Sequence, residues 1–159
     1  MTPIDIQLRD ITEDDFAIFF DYQRDELAAR MAAFGTKDAD PTTFAARWRA
    51  ARAEGTAVQK AIVEGDQVVG YVSTFMYDHK LQVTYWIARS HWGRGIATAA
   101  LSELLRVVTV RPLYASAAHD NVGSLRVLQK CGFTICGSDK AFANARGEEV
   151  EEILLELLA

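Results

Sequence analysis

Cysteine, proline and long apolar runs are scarce in this sequence. Of its 159 residues, two are cysteine and three are proline, and no apolar run approaches the roughly 20 residues needed to cross a bilayer. Cys131 and Cys136 have neither a metal-ligand spacing nor a CxxC redox arrangement, which favours buried or incidental thiols and predicts no metal site. The N-terminus lacks the basic and apolar regions of a signal peptide. These absences favour a cytoplasmic protein that has no membrane partner.

Positive charge is also in deficit. The formal net charge is -5, and the pI calculated from the sequence is about 5.2. Nucleic-acid binding depends on Lys and Arg that neutralise phosphates, so this balance disfavours a nucleic-acid partner, although it leaves room for a basic pocket. A chain of this length typically folds around one hydrophobic core. We therefore predict a single domain over residues 1–159, present as a monomer or a homodimer.

The first third of the chain pairs one strand with helices. Residues 4–8 are apolar at every second position, which predicts a half-buried strand. Thr12 and Asp15 resemble a capping box at the start of a helix, and residues 21–36 continue helically with a break. Asp40, followed by proline, predicts the N-cap of a further helix.

The rest of the chain first reads as a meander and then as a crossover. Residues 57–88 contain three β-rich runs separated by "EGDQ" and "YDHK", which predicts antiparallel hairpins. A helical pattern from Gly95 and a strand-like "RPLYASAA" then form a strand, helix, strand unit, which implies parallel pairing. Asp120 or Asn121 is the predicted cap of the next helix.

The last segments are less regular. Residues 133–138 and 150–158 are strand candidates joined by the polar loop 139–149, and the glutamates of the final segment leave a helix as the alternative. The whole pattern predicts an α/β fold, of the α+β kind, with a mixed sheet.

Two glycines mark a candidate anion site. In "YWIARSHWGRGIATAALSELL", Gly93 and Gly95 lie between a predicted strand and a predicted helix. Such a junction exposes backbone N–H groups and the positive end of the helix dipole, which suits an anion. The alternative is that the glycines only turn the chain. A dinucleotide fingerprint is excluded because Thr98 occupies its third glycine position, and the Gly-Lys-Ser/Thr ending of a phosphate loop is absent.

Two stretches together carry a family resemblance. "WGRGIATAAL" and "DNVGSLRVLQKCGF" resemble the two signature motifs of the GNAT superfamily, the N-acyltransferases that use acyl-CoA, and particularly its branch of ribosomal-protein N-terminal acetyltransferases. The resemblance implies a single-domain fold whose fourth and fifth strands splay apart. It also implies acetyl-CoA as co-substrate and a primary amine as acceptor, either a small molecule or a peptide or protein N-terminus.

The resemblance also assigns cofactor-binding positions. The backbone groups of Ile87 and Ala88 are expected to pair with the pantetheine arm, and Asn121 and Ser124 to face that arm and the thioester. Arg126 and Lys130 either contact the cofactor or form a solvated helix face. The pyrophosphate is expected on the loop and first helical turn formed by Trp92, Gly93, Arg94, Gly95, Ile96, Ala97 and Thr98.

Two family positions differ here, and both concern catalysis. Gln82 stands where the branch often has a Glu base, and Leu128 stands where many GNAT enzymes have a Tyr that protonates the leaving thiolate. Ser124 is then the candidate donor to the leaving sulfur. We predict that the amine attacks the thioester directly and loses its proton through ordered water. The candidate water partners are Tyr85, named with Ser124 as a catalytic residue, together with His79 and His119.

The acceptor side is assigned by segment order alone. Tyr22, Asp25 and Phe34 fall where the family builds its acceptor pocket. Five arginines either favour an anionic acceptor or form a solvated helix surface: Arg24, Arg30, Arg47, Arg49 and Arg52. The sequence thus predicts an acetyl-CoA-dependent N-acetyltransferase. The alternative, motivated by Gln82 and Leu128, is a non-catalytic acyl-CoA-binding or sensing domain on the same fold.

Overall fold

A single seven-stranded mixed sheet organises the protein. The computed structural model describes residues 4–34, 40–55 and 57–159. The strand order is β1-β2-β3-β4-β5-β7-β6, and every neighbouring pair is antiparallel except β4 and β5. The elements are β1 (Ile6–Asp10), α1 (Asp15–Gln23), α2 (Glu26–Ala32), α3 (Pro41–Ala53), β2 (Gln59–Glu64), β3 (Gln67–Tyr77), β4 (Lys80–Ile87), α4 (Ile96–Val107), β5 (Leu113–Ala118), α5 (Val122–Lys130), β6 (Thr134–Ala143) and β7 (Glu148–Leu157). The predicted mixed α/β fold is confirmed.

Short polar side chains begin the early helices. Asp25 ends the break after α1 and accepts a hydrogen bond from the Ala28 N–H, and Asp40 accepts one from the Thr43 N–H. Only one of the two hydrogen bonds of the predicted capping box forms, in which the Asp15 carboxylate accepts from the Thr12 N–H. The helix α1 begins at Asp15, and no side chain caps its start in the described structure. Each cap satisfies an N–H group that the helix itself leaves without a partner.

The C-terminal hairpin differs from its prediction in one respect. The final segment is a strand, as first interpreted, but most of the expected loop 139–149 is also strand, because β6 continues to Ala143. Charged residues that suggested a loop, such as Lys140, pair across the ladder with glutamates of β7 and project from an exposed sheet edge. Asn121, not Asp120, caps α5, because the Asp120 carboxylate binds Arg146.

Helices cover the sheet on both faces. We call the face covered by α1, α2 and α3 the front face; on it Phe19 and Trp48 pack against Tyr71 of β3. On the back face, α4 and α5 pack against the residues that alternate with these, including Val72 and Val83. Strand alternation therefore decides which face each side chain of β3, β4 and β5 occupies.

The sheet is nearly interrupted between β4 and β5. The two parallel strands pair at one position, Gln82 with Tyr114, near the start of each strand, and beyond this pair they separate. This is the predicted splay. Among the residues that the structure describes, no helix is long and apolar enough to span a membrane.

Candidate active site

A large cleft passes through the gap between β4 and β5. It encloses about 1180 Å³ and reaches both faces of the sheet. Its back-face wall contains most of the positions predicted to bind the cofactor. Those that line it are Ile87, Trp92, Gly93, Gly95, Ile96, Ala97, Thr98, Asn121 and Ser124.

The glycine loop has the geometry of an anion site. Gly93 and Gly95 have φ angles of +77° and +79°, in the left-handed region that residues other than glycine rarely adopt. Gly95 directly precedes α4, and no side chain caps this helix start in the described structure. The first-turn N–H groups of α4 are therefore available to a ligand, and the helix dipole favours a negatively charged one. The loop fits a pyrophosphate.

The side chains of Arg94 and Trp92 both have hydrogen-bond partners within the protein. The Arg94 guanidinium donates two hydrogen bonds to Glu64, at 2.9 and 2.7 Å, so its charge is paired with a carboxylate at the end of β2. The Trp92 indole N–H donates to the carbonyl of Ile87 at 2.8 Å and so fixes the loop to the end of β4.

The expectation for Ala88 needs correction. Its N–H donates to the Val69 carbonyl at 2.9 Å, inside the sheet, and Ala88 lies outside the described lining of the cleft. Because backbone groups alternate in direction along a strand, the N–H groups of Tyr85 and Ile87 point to the opposite edge of β4, toward the gap. These two amides are the ones placed to pair with an extended ligand arm.

Tyr85 and Ser124, the two predicted catalytic residues, lie in contact. The Tyr85 hydroxyl is 2.6 Å from the Ser124 Oγ, and the Ser124 N–H donates to the Asn121 side chain at 3.2 Å. Burial raises the pKa of Tyr85 to about 12, although the hydrogen bond with Ser124 works in the opposite direction. Tyr85 is therefore protonated at neutral pH, and its one proton can go either to the Ser124 Oγ or to the Ser124 carbonyl oxygen, which lies 3.2 Å away. When Tyr85 donates to the Oγ, the serine proton is available to a ligand.

The front-face half of the cleft is mainly aromatic. Phe34 lines it as expected, whereas Tyr22 and Asp25 line a separate cavity of about 450 Å³. Asp25 also forms an ion pair with Arg89 at 2.8 Å, so it is not directed at the cleft. Two buried polar atoms of the cleft wall, Trp48 Nε1 and Gln59 Oε1, have no hydrogen-bond partner within the described structure. Unpaired buried polar groups are costly to folding.

Only one of the five candidate arginines lies in the described lining of the cleft. Arg24, Arg49 and Arg52 form exposed ion pairs with Asp21 or Glu13, which supports a solvated surface. Arg47 lines the cleft, with its guanidinium over the Phe44 ring, whereas Arg30 lies outside the described lining. On the cofactor side, Arg126 and Lys130 both line the cleft, so the structure favours their contact with a bound ligand.

Comparison with known proteins agrees with this geometry. The profile of the family described as "Acetyltransferase (GNAT) domain" matches residues 5–134. The chain belongs to this GNAT acetyltransferase family. It is 25% identical over 114 residues to the Uncharacterized N-acetyltransferase p20 of Bacillus licheniformis, a match that covers 66% of this chain and 64% of that protein.

Two solved GNAT structures share the fold. A ribosomal-protein-alanine N-acetyltransferase from Brucella melitensis superposes with a TM-score of 0.83 at 22% identity, covering 96% of this chain and 99% of the other. A phosphinothricin acetyltransferase from Sinorhizobium meliloti, solved with acetyl-CoA, gives 0.84 at 18% identity, covering 96% and 88%. The predicted resemblance is confirmed.

Two catalytic groups that the resemblance implies are absent from their positions. Leu128 is fully buried in the core, so that position offers no proton donor. Gln82 lines the cleft but has no basic group. His79 lies in the exposed turn between β3 and β4, and His119 is exposed after β5; neither belongs to the described lining, so their predicted role as water partners is not supported.

Sequence reasoning missed one polar pair at the gap. Ser116 of β5 lines the cleft, and its hydroxyl donates to the Glu152 carboxylate of β7 at 3.3 Å. The two residues are 36 positions apart, and no sequence pattern showed that β7 lies beside β5. Within the described residues, no group of three or more His, Cys, Asp or Glu side chains is arranged to hold a metal ion.

Proposed function

We propose that the protein transfers an acetyl group from acetyl-CoA to a primary amine, on a small molecule or at a peptide N-terminus. The observation that carries this proposal is the single cleft that joins the glycine loop, the gap between β4 and β5, and the Tyr85–Ser124 pair. The loop amides and the α4 dipole bind the pyrophosphate. The pantetheine arm then lies along the free edge of β4.

The amine attacks the thioester carbonyl carbon from the front face. A backbone N–H at the free edge of β4 polarises the carbonyl oxygen, and positioning of the two reactants supplies much of the rate. The carbon–sulfur bond then breaks. Ser124, supported by the neutral Tyr85, donates its proton to the departing thiolate. A thiol with a pKa near 8.5 is already a tolerable leaving group, so the absence of a tyrosine at position 128 is compatible with turnover.

A direct test combines binding and turnover. Calorimetry measures acetyl-CoA binding, and thiol release is then followed with small amines, amino acids, aminoglycosides, polyamines and peptides with free N-termini. We expect binding together with amine-dependent thiol release. Binding without release from any amine would favour the sensing domain, for which the substitutions at Gln82 and Leu128 argue. Absence of binding to well-folded protein would contradict both functions.

A further inference from the structure

A pair formed by a hydroxyl and a carboxylate flanks the gap on the face opposite to Tyr85 and Ser124. The Ser116 hydroxyl is exposed to the cleft and donates to Glu152 Oε2 at 3.3 Å. Ala118, the cross-strand partner of Glu152, packs in the cluster that contains Ala33 of the α2 terminus. Ser116 and Glu152 therefore lie on the front face, where the acceptor half of the cleft is.

The register places Ser116 beside the reacting centre. Gln82 and Tyr114 form the single pair between β4 and β5, and both side chains lie on the front face. Two residues further along each strand, Thr84 and Ser116 stand on either side of the point where the strands separate, and both line the cleft. The Tyr85 amide follows directly on β4. A ligand that reaches the gap from the front face thus passes Ser116.

The surroundings of Glu152 favour proton uptake. Burial raises its pKa; the hydrogen bond from Ser116 lowers it, and the nearby negative charge of Asp139 raises it again. Asp139 is its cross-strand partner on β6, whereas its same-face neighbours on β7, Val150 and Leu154, carry no charge. Ala118, its cross-strand partner on β5, is also uncharged. A carboxylate with a raised pKa is a better base near neutral pH.

Other bases are scarce in the cleft. The described lining contains no Asp or Glu, and its one histidine, His91, lies beside the glycine loop with its Nδ1 hydrogen-bonded to Ser90. His91 is therefore placed with the phosphate end of the cofactor, whereas Ser116 is the lining residue hydrogen-bonded to a carboxylate at the acceptor end.

We propose that Ser116 and Glu152 form the relay that removes the proton from the attacking amine. This inference rests on the proposed acyl transfer. The amine nitrogen donates its electron pair to the thioester carbon and the carbon–sulfur bond breaks. The nitrogen passes one proton to Ser116 Oγ, directly or through one water, as Ser116 passes its own proton to Glu152. The thiolate takes a proton from Ser124 as Ser124 takes one from solvent water, and Glu152 releases its proton to solvent. The products are an amide and a free thiol, and both residues return to their starting state.

Four variants test the relay with the amine that gives the fastest thiol release. Glu152→Gln should lower kcat/KM by about 10²–10⁴-fold with acetyl-CoA affinity retained. Ser116→Ala should lower it less, because water can bridge to the carboxylate. Asp139→Asn removes the like charge without touching the cleft, so it should keep the plateau rate and move the acid limb of the pH profile to lower pH. Glu151→Gln, a loss of charge at the neighbouring exposed position of β7, is the matched control. It should change neither kcat/KM nor the acid limb of the pH profile.

The pH profiles distinguish a proton relay from a merely structural role of Ser116 and Glu152. The amine substrate has the same pKa in every assay. A shift of the acid limb of the pH profile between two variants therefore reports a titrating group of the protein. Burial disfavours the ionised form of Glu152, so the neutral Gln variant should fold; circular dichroism and acetyl-CoA binding verify this, and Ser116→Ala and Asp139→Asn test the relay independently. An active wild type with unchanged Glu152→Gln kinetics, or an acid limb that Asp139→Asn leaves in place, would overturn the relay alone. No thiol release from the wild type would overturn the proposed function as well.

Discussion

Gly95 illustrates how one residue combines two requirements of the candidate cofactor site. Its φ of +79° allows the chain to turn into α4, and a Cβ added there would lie 3.0 Å from Ile4 Cδ1. A side chain at this position would therefore extend into a crowded part of the loop, next to the N–H groups at the start of α4. If those groups bind a pyrophosphate, a negative charge at this position competes with it.

We expect Gly95→Glu to weaken acetyl-CoA binding more than Gly95→Gln does. The two variants share the backbone strain and nearly the same volume, so the difference between them isolates the charge. Calorimetry at low salt should show at least a tenfold difference in Kd, about 1.4 kcal/mol. Gly93→Ala is a further control, because no atom lies within 4 Å of the added Cβ and only the strain remains. Equal affinities for Glu and Gln at position 95 would contradict an anion site on this loop.

At the scale of elements, the sequence predicted most strands and helices correctly because their signals are local. Asp40 before a proline and the alternation in β1 need only a few neighbouring residues to be interpreted. The length of β6 was missed because its second half is exposed and charged, and only pairing with β7 makes it a strand. The strand order was equally inaccessible. The Ser116–Glu152 contact depends on that order, so the sequence could not have indicated it.

Arg146 connects three elements around the acceptor half of the cleft. Its side chain is only 5% exposed, donates two hydrogen bonds to Asp120 at 2.8 and 2.9 Å, and donates a third to the Arg30 carbonyl at the end of α2. Asn121 supports the same helix end through a hydrogen bond to the Met31 carbonyl. Both Met31 and the neighbouring Ala145 line the cleft, so this connection shapes the site.

We expect Arg146→Lys to lower the free energy of unfolding by about 1–3 kcal/mol, because an ammonium cannot reproduce the planar fork and leaves a carbonyl without its donor. The KM for the acceptor should rise more than the KM for acetyl-CoA. Urea unfolding and steady-state kinetics measure these effects. Arg106→Lys, in an exposed pair with Glu103, is the matched control and should cost less than about 0.5 kcal/mol. Similar losses in both variants would argue against the connection.

At the scale of the whole molecule, the pKa values of two carboxylates are shifted in opposite directions. Asp15 is an almost fully buried carboxylate, with a side chain only 3% exposed, that accepts two hydrogen bonds from Arg9 and one from the Thr12 N–H. Burial alone would raise its pKa, but the hydrogen bonds from Arg9 and Thr12 outweigh burial, and the pKa is lowered. Glu152, by contrast, has a raised pKa.

These two shifts have opposite consequences for stability. A lowered pKa in the folded state means that the unfolded chain binds the proton more readily. The contribution of Asp15 is therefore fully present above the ordinary value of 3.8 and is lost as the pH falls through the lowered pKa. For Glu152 the folded state binds the proton more readily, so its contribution grows as the pH falls through its raised pKa. As the pH falls, the contribution of Glu152 to the free energy of unfolding therefore increases before the contribution of Asp15 is lost.

We expect the free energy of unfolding to fall as the pH drops below about 4, and Asp15→Asn to remove part of that fall. The remainder comes from other carboxylates whose pKa values are also lowered by ion pairs, such as Glu13 and Asp120. At pH 7 the same variant should cost about 1–3 kcal/mol, because it leaves Arg9 without its charged partner while Arg9 itself stays partly solvated. Urea unfolding of the wild type and of Asp15→Asn at a series of pH values measures both effects. Asp14→Asn, a change of the same kind at the adjacent exposed position, is the control and should follow the wild-type curve. If Asp15→Asn kept the full acid dependence of the wild type, the Asp15 network would not be the group that titrates on unfolding.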